Sequence, residues 1–199
     1  MKKWVGILLV FVIGFLLMKK TDSSVKNLGN SGTDIIAFGD SLTAGYGAPK
    51  GASYPAVLSE KLGRPVINLG LSGETAVHAP QRLAEVFSYN PYMVLIEFGA
   101  NDHMQGLSRE EAVLAVSQIV EAVQQAGAVA VIIDTGGPGM GEYSRAYRKL
   151  AKEKKAIFVP AILKGIFHKR QYKSDMVHPN AAGYKIVAEH IFKEISPYL

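Results

Sequence analysis

Ser41, Asp175 and His178 are residues of the types that together cleave acyl bonds, and their settings suit that work. Ser41 lies in Phe38-Gly39-Asp40-Ser41-Leu42, directly after the apolar run Ile35-Ile36-Ala37-Phe38. A serine hydroxyl becomes a nucleophile when a base reaches it. His178 is the candidate base, because imidazole titrates near neutrality. Asp175 precedes it by three positions, where a turn brings the carboxylate to the ring and fixes its tautomer. Acyl transfer also needs hydrogen-bond donors for the developing oxyanion. Gly73, in Gly70-Leu71-Ser72-Gly73-Glu74-Thr75, has no side chain to block its backbone N–H. Asn101, in Gly99-Ala100-Asn101-Asp102, offers a side-chain amide, and the Ser41 N–H makes a third donor. Each residue alone has a plainer explanation: Asp40 or Ser41 as a cap, Gly73 and Asn101 as turn formers, and Asp175 to Pro179 as the start of a helix.

The elements that carry these residues turn the coincidence into a pattern. Apolar runs at 35–38, 66–69, 93–98, 128–133 and 156–159 read as buried strands. Amphipathic stretches at 53–62, 75–87, 108–127 and 142–154, and one beginning near Asn180, read as helices. Ser108-x-x-Glu111 is a capping box, and Val113, Val116, Ile119, Val120 and Val123 form the apolar stripe behind it. Regular alternation of strand and helix implies parallel strands, right-handed crossovers and helices on both faces of one open α/β sheet. Ligands of such sheets bind beyond the carboxyl ends of the strands. Ser41, the Gly73 turn, the Asn101 turn and the Asp175–His178 segment all fall at that edge.

These four blocks, in this order, resemble the GDSL esterase/lipase family, the SGNH hydrolases, and especially its bacterial arylesterase, thioesterase and lysophospholipase branch. Gly39-Asp40-Ser41-Leu42 matches the nucleophile motif; Gly73, Gly99-x-Asn101-Asp102 and Asp175-x-x-His178-Pro179 match the rest. The resemblance covers residue 33 to the C-terminus. It implies a three-layer α/β/α, flavodoxin-like fold with a five-stranded, mostly parallel sheet. It also implies Ser41 as nucleophile, His178 as base, Asp175 as its orienter, and Ser41, Gly73 and Asn101 as oxyanion donors. The reaction expected is hydrolysis of carboxylic esters, with thioesters and lysophospholipids within range. Deacetylation of a wall or surface polysaccharide is an alternative, and a non-catalytic, membrane-tethered binding domain is another.

Composition narrows the partners. The chain has 199 residues and no cysteine, which excludes disulfides, a thiol nucleophile and a lipid-modified cysteine. No His-Glu-x-x-His or comparable spacing suggests a metal, and the Gly-rich stretch 136–141 has neither a Walker lysine nor dinucleotide glycine spacing, so no cofactor is expected and it reads as a rim loop. The formal charge of +5 is concentrated at the start: Lys2, Lys3, Lys19 and Lys20 flank the uncharged run 4–18, and the remaining 179 residues carry 18 basic against 17 acidic groups. That balance gives no footprint for nucleic acid. Residues 1–20 read as a secretory signal or a retained membrane anchor, and 21–32 as a linker, with the domain at 33–199 and an extracytoplasmic location. The run Lys164, His168, Lys169, Arg170, Lys173 reads as a solvated basic loop.

Overall fold

The computed structural model of the chain describes residues 25–199; the expected signal or anchor at 1–20 lies outside them. Five strands, β1 (Asp34–Gly39), β2 (Val66–Gly70), β3 (Pro91–Glu97), β4 (Val129–Ile133) and β5 (Ile157–Val159), form one sheet in the order β2-β1-β3-β4-β5. Every pairing is parallel. The three central strands, β1, β3 and β4, are buried on both faces, which is why they read as continuous apolar runs rather than as alternating ones.

Seven helices surround the sheet: α1 (Ser41–Ala44), α2 (Tyr54–Leu62), α3 (Leu83–Phe87), α4 (Ala100–Met104), α5 (Arg109–Gln125), α6 (Gly141–Lys154) and α7 (Ala181–Ile195). On one face Ile36, Phe38, Val94 and Ile132 pack against Val116, Ile119 and Val123 of α5 and Tyr147 and Leu150 of α6. On the other, Ile35, Leu95, Val131 and Val159 pack against Leu58 of α2 and Val187 and Ile191 of α7. Ser108 caps α5 as its sequence suggests, its Oγ accepting the Glu111 N–H at 3.3 Å.

Two expectations change. The stretch 75–87 is not one helix: a 3₁₀ turn at Ala79–Arg82 precedes the short α3. Pro80 is the physical reason, since it has no N–H to continue an α-helical ladder; the Asp102 carboxylate caps the turn ahead of it, accepting the Ala76 N–H at 2.7 Å and the Val77 N–H at 3.3 Å. Residues 25–32, expected within a linker, fold against the domain. The Lys26 N–H donates to the Lys155 carbonyl, and the Asn27 amide to the carbonyls of Gln124 and Ala128. Val25 and Leu28 pack on the core beside α7. The chain therefore joins the domain where β4 and β5 begin. Among the described residues no helix is long and apolar enough to cross a membrane.

Candidate active site

The sheet order reverses at β1: β2 is added on one side of it and β3 on the other. Ser41 stands at that switch point as the first residue of α1. Asp40 caps this helix, its Oδ1 accepting the Leu42 N–H at 2.9 Å, so the plain capping explanation holds for Asp40 itself. The cap turns the chain sharply enough to present the Ser41 side chain above the sheet edge. Gly70 permits this close fold, because a Cβ there would lie 2.1 Å from the Ala44 nitrogen.

Ser41 Oγ lies 2.9 Å from His178 Nε2, and His178 Nδ1 lies 2.8 Å from Asp175 Oδ2. The loop that carries the last two is tied at its base, with Lys173 and Pro179 bridged as in an antiparallel pair. Asn180 then caps α7 through the N–H groups of Ala182 and Gly183. Asp175 Oδ1 accepts the backbone N–H groups of Val177 at 2.8 Å and His178 at 2.7 Å. Desolvation would raise the Asp175 pKa, but these N–H groups and the imidazole outweigh it and lower it from 3.8 to about 2. An ionised Asp175 makes Nδ1 the protonated ring nitrogen and leaves Nε2 free to accept the serine proton.

The donor side is built from two loops locked together. Gly73 has φ +83°, a conformation that favours glycine, and its N–H finds no acceptor among the described residues. Asp102, fully buried, binds the loop after β2 to the turn after β3 through Ala76 and Val77. Arg82 holds the same loop from outside, pairing with Glu74, donating to the Leu69 carbonyl at 3.1 Å and lying over the Phe38 ring. Asn101 is buried in α4, and its amide donates to the Glu74 carbonyl at 2.8 Å and to Asp40 Oδ2 at 3.1 Å. Both Asn101 protons therefore have protein acceptors, and the bond to Asp40 is the weaker by length.

A cavity of about 220 Å³ opens beside Ser41, walled by Leu42, Met104, Pro138, Met140, Leu163 and Phe167. The rim loop 136–141 thus forms one wall of it, held by Asp134, whose Oδ1 accepts the Gly136 N–H. Sequence reasoning missed two neighbours of the site. Tyr46 stacks on His178, and Glu97 lies buried at the end of β3. A tyrosine between Gly45 and Gly47 was the only signal for the first, and a lone acid closing the apolar run 93–98 for the second. No cluster of metal-ligating side chains occurs among the described residues.

Known proteins resemble the chain in sequence and in fold. The model of the GDSL-like Lipase/Acylhydrolase family matches residues 37–186. Thioesterase 1/protease 1/lysophospholipase L1 of Escherichia coli (strain K12) is 29% identical over 173 residues, which is 82% of this chain and 83% of that protein. The crystal structure of AlinE4, an SGNH-hydrolase family esterase, superposes with a TM-score of 0.65 at 33% identity, covering 84% of this chain and 94% of that one. A crystal structure of TesA, at 24% identity, shares the fold with a TM-score of 0.79 over 84% of this chain and all of its own. The chain belongs to the GDSL-like lipase/acylhydrolase family.

Proposed function

We propose that the protein hydrolyses carboxylic esters through an acyl-enzyme on Ser41. The carrying observation is the unbroken line from Ser41 Oγ through His178 to Asp175, at 2.9 and 2.8 Å. In the first half-reaction Ser41 Oγ bonds to the substrate carbonyl carbon while His178 Nε2 takes the serine proton. The carbonyl oxygen becomes an oxyanion facing the N–H groups of Ser41 and Gly73 and the Asn101 amide. The bond to the alcohol then breaks, and His178 returns the proton to the departing oxygen. Water repeats the sequence, releasing the acid and restoring Ser41.

The cavity gives the reading its substrate class. The cavity of about 220 Å³ beside Ser41 has room for an alkyl chain of medium length. The mostly apolar wall suits alkyl chains better than a sugar, which favours acyl esters over wall or surface polysaccharide acetates. The names of the relatives point the same way: a thioesterase and lysophospholipase in Escherichia coli and an arylesterase in Vibrio mimicus. Ser41 is partly exposed, which leaves a side for a phenol, a thiol or the glycerophosphoryl alcohol of a lysophospholipid as the leaving group. A panel of acetyl, butyryl, octanoyl and palmitoyl esters beside an acetylated sugar tests this; the highest kcat/KM is expected at octanoyl, and a maximum on the acetylated sugar overturns it.

The triad has its own test. A fluorophosphonate should label Ser41, and the label should disappear in a folded His178→Ala variant. Label on Ser72, or undiminished labelling without His178, removes the assignment. We further propose an extracytoplasmic location, supported by the lysine-flanked apolar run at 4–18. Fractionation should find the protein with membranes or outside the cell; the full-length chain soluble in the cytoplasm overturns this.

A further inference from the structure

Two buried carboxyl groups lie beneath the site, and the ester chemistry uses neither directly. Glu97 ends β3 opposite Gly39 of β1, and its carboxyl interacts with that of Asp40, the residue after Gly39. Glu97 is fully buried, and its Oε2 accepts the Thr43 hydroxyl at 3.0 Å. Its Oε1 has no hydrogen-bond partner among the described residues. Asp40, 1% exposed, has both oxygens engaged, one by the Leu42 N–H and the other by the Asn101 amide at 3.1 Å.

An orphan oxygen on a buried carboxylate is costly, and a second negative charge beside it adds repulsion. The same oxygen carrying a proton becomes a donor, and Asp40 is the acceptor beside it. The electrostatics agree. Burial first, then the charge of Asp40, pushes the Glu97 carboxyl well above the usual range. Burial also raises Asp40, to about 6, against the lowering effect of the Leu42 N–H, Glu97 and His178, with Asp102 adding to the rise. The orphan Oε1 and the adjacent carboxylate are both satisfied when the pair holds one proton, on the Glu97 side, with Asp40 ionised.

That arrangement bears on Asn101. Both of its amide protons are taken in the resting site, so an oxyanion must compete with Asp40 Oδ2 for one of them. A bare carboxylate would compete strongly, whereas one that also accepts a proton from Glu97 competes less. We propose that Glu97 is a positioning residue for the oxyanion site, donating its carboxyl proton to Asp40 so that Asp40 aims the Asn101 amide yet yields it to the developing charge. This inference rests on the reading of Asn101 as an oxyanion donor. The proton stays between the two carboxyls and is not consumed.

The test compares Glu97→Gln, which keeps a donor of the same shape, with Glu97→Met, which fills the space without one. Steady-state kinetics are measured on an ester that the full-length wild type accepts, together with inhibition by a trifluoromethyl ketone, whose serine adduct carries an oxyanion. Glu97→Gln should retain kcat within about threefold. Glu97→Met should lower kcat by ~10-fold with KM unchanged, and weaken the ketone by the same factor, less than the 10²–10³ typical of deleting a donor outright. Equal impairment of both folded variants, or wild-type kinetics in both, overturns the proposal. Should Glu97→Met not fold, infrared difference spectra of wild type against Glu97→Gln decide: the C=O stretch of a protonated carboxylic acid at neutral pH is expected, and its absence overturns the proposal. Asn101→Ala is the control, because full activity there removes the oxyanion reading itself, whereas a loss there with silent Glu97 variants removes only the role of Glu97.

Discussion

The ring of Tyr46 lies on the imidazole of His178, with centroids 4.6 Å apart and planes inclined at 52°. The carbonyl of Tyr46 accepts the Tyr184 hydroxyl at 2.8 Å, so a residue of α7 holds the stacking partner in place. A histidine on a surface loop thereby gains a wall on one side. Aromatic contacts of this kind are worth about 0.5–1.5 kcal/mol. Tyr46→Ala should therefore lower kcat/KM by roughly 2- to 10-fold, through misalignment of the base. Steady-state kinetics check this, and Tyr46→Phe should behave as wild type, since only the ring and backbone are in use.

Asn101→Ala should lower kcat by about 10²–10³-fold with little change in KM, because the donor is called on chiefly when charge develops. An effect confined to KM would make Asn101 a residue that binds the ground state instead.

Asp102→Ala should act on both loops at once. It leaves the buried Ala76 N–H without its 2.7 Å acceptor, a loss of about 1–3 kcal/mol in unfolding free energy. Because the same bond aligns the Gly73 loop, kcat should fall along with stability. Urea unfolding and kinetics on the same preparation test the linkage, and a stable variant with normal kcat would contradict it.

The acid raised by burial leaves a mark on stability. Asp40 moves from an ordinary 3.8 to about 6 on folding, so between those values the folded state binds more protons than the unfolded one. Stability attributable to Asp40 therefore falls as pH rises from about 4 to 6, the opposite of Asp175, whose contribution is lost as pH falls from 3.8 towards about 2. Relative to Asp40→Asn, the wild type should lose unfolding free energy as pH rises across the first window. Parallel curves for the two proteins would show that Asp40 does not titrate there.

The number and positions of the strands and the edge that carries the site were legible because a buried parallel sheet writes itself as apolar runs separated by Gly-rich turns. Ser41, Asp175 and His178 were legible because their types and spacing are chemically specific. The break ahead of α3 was signalled by Pro80 alone, and the amphipathic spacing at 75–87 carries no sign that Asp102, distant in sequence, captures the Ala76 and Val77 N–H groups. Residues 25–32 look like solvated linker by composition, yet Asn27 finds its carbonyl partners nearly a hundred residues away. Glu97 was hidden for a related reason. A single acid at the end of a strand normally reaches solvent, and only the fold shows it fully buried against Thr43 and Asp40.

The Lys26–Lys155 and Asn27–Ala128 contacts fix the point at which the chain enters the domain. They lie where β4 and β5 begin, whereas Ser41 follows the far end of β1, a six-residue strand of about 20 Å. The entry point of the chain and the mouth of the cleft therefore lie at opposite ends of the sheet.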